Sequence, residues 1–408
     1  MRCYQDGTDI IVSREPLALP VLPEEAPLPA KGRVLVLNDA LDPEERVAFV
    51  AQHPSQLWRS REGVDLLWQG RGEVPDWLRD AMAAGRVLSV NTAHQDWRDW
   101  LRRPQPQRWR INVIGLGDVG GMLLTGLRLL GHGSVSRLGF YDPDPARRDR
   151  WHRELGQICT PFEADDMAVE YLTEDRLTDC DMLVFCASRG VPPLSQTTGD
   201  VRMVQLAANG EILKPYVRQA VREGFKGLFC VVSDPVDQLC RVARLTQAET
   251  AAQEGCHPLK ADQIRGYGLG VMNGRAAWYA RQDAALAEYL QSGRAYGPHG
   301  RGLVIANSVA GYDAEKSRRL TELTLNANLE VREAGFKPFV APALSSGAIS
   351  LLRTLQGQWH YSAVSLGEIF MGCKNRLVGG IQETECLDLP QELKTRLQET
   401  EMILRGSI

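Results

Sequence analysis

Three glycines and one aspartate carry the first legible chemistry. Gly115-Leu116-Gly117-Asp118-Val119-Gly120 fits G-x-G-x-x-G. The pattern means little alone, but here it follows the apolar run INVI (111–114) and opens the apolar run GMLLTGLRLLG (121–131). That strand–turn–helix context suits a dinucleotide phosphate loop. Gly115 permits the tight turn, Gly117 lets backbone approach a pyrophosphate, and Gly120 lets helix and strand pack closely. The helix N-terminus supplies free N–H groups and partial positive charge. Asp118 and Val119 are expected beside the cofactor. Asp142 ends the next strand in GFYDPD, where a carboxylate accepts bonds from ribose hydroxyls and repels a 2′-phosphate, so NAD is expected over NADP. The plain structural alternative is a glycine turn that binds nothing.

The surrounding elements must hold that loop in place. RLGFYD (137–142), MAVEYL (167–172), DMLVFCA (181–187) and KGLFCVVS (226–233) read as strands. PARRDRWHRELGQI (145–158) and GEILKPYVRQAVREG (210–224) read as helices between them, the alternation of a doubly wound parallel sheet. Beyond residue 270, segments 276–291, 315–335 and 392–404 read as helices, and 359–383 alternates like antiparallel strands. Upstream, RVLVLN (33–38), VDLLW (64–68) and RVLSV (86–90) read as strands, with helices over 41–52 and 74–85. That is a small α/β unit without a phosphate loop. Residues 1–32, rich in Pro and Glu, read as an extended surface arm. The expected division is therefore an arm (1–32), a small α/β domain (33–105), a Rossmann domain (106–262) and an α+β substrate domain (263–408). Six of the nine tryptophans lie before residue 110. They serve either a core and the anchoring of one domain on another, which is favoured, or an interface.

The 408 residues leave ample material for two or three cores. Hydrophobic residues at 44%, charged residues at 24% and a net charge of −4 suit a globular chain and argue against broad nucleic-acid binding. No apolar run reaches membrane-spanning length, and the first residues lack the layout of a signal peptide. The nine cysteines include no C-x-x-C, so reduced thiols in a cytoplasmic protein are expected, with no metal site.

Four motifs, in order, make residues 111–408 resemble the lactate/malate dehydrogenase family. The first is the loop with Asp142. The second is Arg202-Met-Val-Gln-Leu-Ala-Ala-Asn209 after RGVPPLSQTTGDV, which looks like the family's mobile loop followed by R-x6-N. The third is Ser233-Asp234-Pro235-Val236-Asp237, similar to S-N-P-V-D. The fourth pairs Gly268-Leu-Gly-Val-Met272-Asn-Gly-Arg275 with Gly297-Pro298-His299-Gly300, similar to G-T-x-L-D-x-x-R and G-E-H-G. Residues 1–105 lie outside the resemblance.

The resemblance implies an NAD-dependent oxidoreductase moving a hydride between nicotinamide and a 2-hydroxy or 2-keto acid. His299 would be the acid/base, its type suited by a near-neutral free pKa. Arg275 would grip the substrate carboxylate with its planar fork. Arg202 would descend with the loop and polarise the reacting carbonyl. Ala187 and Asn209 are expected at the cofactor, with Gln196 and Lys337 near the substrate tail. Without the resemblance, His299 reads as a turn residue, Arg275 and Arg202 as surface charges, and Lys337 as a helix-end lysine. The implied partners are a small carboxylic acid and further copies of the chain, as a dimer or tetramer.

Two positions depart from the family pattern. Met272 stands where the family has the aspartate that orients its histidine, and methionine can do no such work. Asp234 stands where the family has asparagine. One lost and one gained carboxylate suggest that Asp234 takes over as the acidic neighbour of His299. Two alternatives stay open: a catalytically impaired NAD-binding protein acting through its N-terminal region, or a different reduction, of an imine or an unusual keto acid.

Overall fold

The computed structural model describes residues 1–23, 32–159, 167–189 and 201–407, with the side chains of 201–203 excepted. The N-terminal third contributes β1 (Arg2–Asp6), β2 (Asp9–Ser13), β3 (Val21–Leu22), β4 (Val34–Asn38), β5 (Ala48–Val50) and β6 (Val87–Asn91), with α1 (Asp76–Ala83) and α2 (Trp97–Arg102). Then come β7 (Trp109–Ile114), α3 (Asp118–Leu130), β8 (Val135–Tyr141), α4 (Pro145–Gly156), β9 (Ala168–Tyr171) and β10 (Met182–Phe185). They are followed by α5 (Val201–Arg222), β11 (Leu228–Val231), α6 (Val236–Glu254) and β12 (Ile264–Gly266). The last part holds α7 (Leu269–Gln282), α8 (Tyr289–Ser292), β13 (Arg294–Tyr296), β14 (Val304–Ala306) and α9 (Ala314–Glu333). It closes with α10 (Ser350–Leu355), β15 (His360–Leu366), β16 (Ile369–Val378), β17 (Ile381–Thr384) and α11 (Gln391–Arg405).

Strands β7 to β12 lie in the order β9-β8-β7-β10-β11-β12, all parallel. This doubly wound arrangement reverses direction between β7 and β10, and ligands of such sheets sit in the crevice beyond that point. Both strands are apolar runs because helices cover both faces. Ile111, Val113, Ile114, Met182, Val184 and Phe185 are all fully buried.

The sheet does not stop at this unit. Antiparallel β15, β16 and β17 continue it from β12, and β5 pairs parallel with β17 to bring in the N-terminal strands. Among the described residues the result is fifteen strands, from β3 at one end to β9 at the other. One hydrogen-bonded layer thus runs through all three expected units.

Three N-terminal expectations are corrected. Residues 1–23 are not an extended arm: β1 and β2 form a hairpin whose Tyr4, Ile10, Ile11 and Val12 are buried, and β2 pairs with β4. The prolines further along masked that alternation; residues 24–31 lie outside the described residues. Residues 41–52 form no helix, since only Ala48–Val50 is ordered as an element, a strand between β6 and β17. Residues 64–68 form no strand, because Val64–Leu67 is a tight 3-10 turn with three buried apolar side chains. Short apolar runs do not distinguish these states by periodicity. Trp97, Trp100 and Trp109 are buried, and Trp58, Trp68 and Trp77 pack partly buried against a core. The eight cysteines beyond Cys3 are free thiols.

Buried polar groups fix the N-terminal unit to the rest. The Val47 N–H donates to Asp262 Oδ2 at 2.7 Å, and Gln52 Nε2 donates to Glu383 Oε1 of β17 at 2.6 Å. Beside them Arg46 Nε meets Glu62 Oε2 at 2.7 Å with both side chains 1% exposed, and the Arg46 guanidinium lies over the Phe49 ring. Burial pushes the Glu62 carboxyl up to about 7, although Arg46 pulls it down. Removing one member of such a pair leaves the other desolvated without compensation. Arg46→Met is therefore expected to lower stability by about 3 kcal/mol in urea denaturation, and Arg46→Met/Glu62→Leu to recover part of that loss.

Candidate active site

The turn after β7 is built as the glycine spacing requires. Gly115 has φ +93°, and a Cβ there would stand 2.5 Å from the Ala187 nitrogen at the end of β10. A Cβ on Gly120 would overlap the Gly115 carbonyl oxygen. At Gly117 a Cβ would meet nothing within 4 Å, so the loop faces open space there. Helix α3 begins at Asp118, and its first-turn N–H groups point out of the helix toward that space. An open cradle at a helix N-terminus fits a pyrophosphate.

Asp142 holds the turn from within. Its Oδ2 accepts the Leu116 N–H at 2.9 Å and its Oδ1 accepts the Asp144 N–H at 3.0 Å, so it braces the glycine turn. Arg147 approaches it at 3.6 Å. Each carboxylate oxygen keeps a second lone pair for ribose.

Gly115, Asp142 and Ala187 line a cleft of about 1640 Å³ that also receives Asp234, Arg275 and His299. These last three come from well-separated parts of the chain. Asp234 precedes α6, Arg275 projects from α7, and His299 sits in the turn after β13. His299 Nδ1 and Asp234 Oδ1 are 2.9 Å apart, His299 with 15% of its side chain exposed and Asp234 with 46%. The structure thus brings Asp234 and His299, expected as neighbours, into contact. Met272, one helical turn before Arg275, is buried with its sulfur 3.7 Å from an Arg275 nitrogen. Burial lowers the Arg275 pKa and the Asp234 carboxylate opposes that shift. A guanidinium so placed stays charged.

The His299 turn is held by groups that composition alone does not reveal. The Gly297 N–H donates to the Gly372 carbonyl at 2.9 Å, and the Gly372 N–H donates to Asp237 Oδ1 at 3.0 Å. Burial pushes the Asp237 carboxyl up to about 8, while hydrogen bonds from the backbone of Gly372, Asp237 itself and His299 pull it down. Asp237 therefore ties the start of α6 to β16 and to the histidine turn. It was visible only as the last letter of the S-D-P-V-D motif.

Other expected residues stand elsewhere. Asn209, expected at the cofactor, is fully buried behind the cleft, and both ends of its amide are occupied. Its Oδ1 accepts the Arg189 N–H at 3.1 Å and its Nδ2 donates to the Asp234 carbonyl at 2.7 Å. It positions the Asp234 segment instead. Lys337, expected near the substrate tail, lies at the cleft rim with its Nζ 2.9 Å from Asp118 Oδ2, at the phosphate loop. Val119 lines the cleft as expected. Gln196 and the Arg202 side chain lie outside the described residues. The face of α9 carrying Leu325, Asn328 and Arg332 also lines the cleft. Their spacing of three and four residues is the signal that could have found them. Among the described residues no cluster of His, Cys, Asp or Glu could hold a metal ion, and no helix is long and apolar enough to cross a membrane.

Residues 109–255 match the family model for the NAD binding domain of lactate/malate dehydrogenase. Through this region the chain is similar to the lactate/malate dehydrogenase family. The region is an NAD-binding domain. It is similar to the L-lactate dehydrogenase of Staphylococcus haemolyticus, at 29% identity over 137 residues, or 34% of this chain and 41% of the relative. With the L-lactate dehydrogenase of Macrococcus caseolyticus the identity is 24% over 193 residues, or 47% of this chain and 55% of the relative. The chain thus spans about half, or less, of these curated relatives. The likeness in fold reaches further. The lactate dehydrogenase MGS-M5, from a deep-sea metagenome, superposes with TM-score 0.58 at 18% identity over 74% of this chain and 98% of its own. The malate dehydrogenase of Plasmodium falciparum gives 0.58 at 17% identity over 73% and 96%.

Because Asp142 braces the turn, Asp142→Ala is expected to weaken NADH binding about tenfold or more, the effect of losing two charge-assisted hydrogen bonds. Fluorescence titration measures the affinity, and circular dichroism should show the fold retained.

Proposed function

We propose that this chain is an NAD-dependent dehydrogenase of 2-hydroxy acids, working in reverse as a 2-keto-acid reductase. The observation that carries this reading is the 2.9 Å contact between Asp234 and His299 in the same cleft as Arg275 and the phosphate loop. Asp234 engages Nδ1, which leaves Nε2 as the nitrogen free to hold and pass a proton. The carboxylate fixes that tautomer and stabilises the imidazolium, the work that Met272 cannot do. Arg275 offers a planar pair of donors to a substrate carboxylate, partly desolvated, where such a pair is strong. Bound NAD supplies the hydride acceptor, and NADH the donor. His299 supplies a proton to the carbonyl oxygen in reduction and removes it in oxidation. Arg202, at the start of α5, would add its charge to the reacting carbonyl. Asp234 in place of an amide also puts a negative charge beside the reacting centre, which disfavours a second anionic group on the substrate close to the carbonyl.

Following NADH absorbance with a panel of 2-keto acids tests this. His299→Ala should abolish turnover while NADH still binds. Asp234→Asn should lower kcat by about a hundredfold or more with NADH affinity little changed, since an amide can orient the ring but cannot stabilise its cation. Arg275→Lys should act mainly on KM for the keto acid, because an ammonium cannot form the two-point contact. Turnover indifferent to His299→Ala would refute the mechanism. NADH binding with no turnover on any keto acid would favour a binding protein that has lost catalysis.

A further inference from the structure

We infer that Lys337 is a cofactor-binding residue, which holds the dinucleotide pyrophosphate from the opposite wall of the cleft and rests on Asp118 in its absence. The inference rests on the NAD-binding assignment and is independent of the hydride chemistry.

The mouth of the phosphate cradle carries a negative charge of its own. Asp118 is the first residue of α3, at the mouth of the phosphate cradle. A carboxylate there suits the positive end of the helix dipole, but it competes with a bound pyrophosphate for the same field. The loop therefore carries an anion where its ligand is anionic. Lys337 answers that anion at 2.9 Å, from 219 residues further along the chain. No other cation among the described residues forms an ion pair with Asp118.

The pair does not serve the fold. Lys337 has 78% of its side chain exposed and Asp118 has 50%. Solvated pairs of this kind contribute little to stability. Its placement is still specific. Gly335, at φ +88°, turns the chain after α9, and Phe336, Lys337, Pro338 and Phe339 then run along the cleft rim. The ammonium is thus delivered to a part of the cleft where Gly117 leaves open space beside helix N–H groups. A flexible four-carbon stem can shift from carboxylate to phosphate without moving the backbone. The pyrophosphate carries two negative charges against the one of the carboxylate, which favours the exchange. Asp118, released, remains near enough to keep the loop's affinity below what the bare cradle would give.

Calorimetric titration separates the pyrophosphate from the rest of the cofactor. The probes are ADP-ribose, which has the pyrophosphate, and adenosine, which has neither phosphate. Lys337→Met is expected to raise the ADP-ribose Kd about tenfold, the loss of one charge-assisted hydrogen bond, and to leave the adenosine Kd within about twofold. Asp118→Asn should tighten ADP-ribose binding severalfold. In the Asp118→Asn background, Lys337→Met should still weaken ADP-ribose, because the lysine contacts the ligand itself. An unchanged ADP-ribose Kd in Lys337→Met overturns the inference. So does an equal loss for adenosine, which would mean a general disturbance of the cleft. A Lys337→Met effect that vanishes in the Asp118→Asn background also overturns it, since the lysine would then only neutralise Asp118.

Discussion

The hydrogen bond between Asp234 and His299 sets what the rest of the structure must do. One partner precedes α6 and the other lies 65 residues later, in the turn after β13. Holding them 2.9 Å apart requires both segments to be fixed. Asn209 grips the Asp234 carbonyl from α5. Asp237 and Gly372 grip the histidine turn from α6 and β16. Residues that do not line the cleft thus give the contact its geometry, which is how preorganised sites work in general.

Relocating the carboxylate also changes the balance of charge. Met272 places a soft, uncharged sulfur against Arg275, so no acid on that helical turn engages the guanidinium. Asp234 instead sits where it can reach both the imidazole and, through space, Arg275. The same two groups, cation and imidazole, are coupled through one acid on α6's approach rather than one on α7.

Much of this was legible because the strongest signals are local. The β7–loop–α3 run combines an apolar strand, three spaced glycines and an apolar helix, and each dictates its neighbour's geometry. Asp234 and Met272 could be weighed against each other because each falls inside a motif with fixed offsets. Legibility failed where a residue's task depends on distant chain. Asn209 looks like a ligand-facing amide, yet its partners are backbone groups of residues 189 and 234. Lys337 looks like a helix-end charge until its separation from Asp118 is known. In the N-terminal third, short apolar runs such as 64–67 carry no period, and the buried Glu45, Arg46 and Glu62 gave a falsely polar texture to a segment that lies inside.

Strand β17 would be the outer edge of the sheet in a chain without the first hundred residues. Its unpaired backbone groups would then template the addition of further strands from other molecules. Here β5 occupies that edge, and among the described residues the sheet ends at β3, two residues long, and at β9, four residues long. Such short termini offer little backbone for an intruding strand to follow. Among the described residues the N-terminal third thus moves the edge of the sheet from β17 to β3.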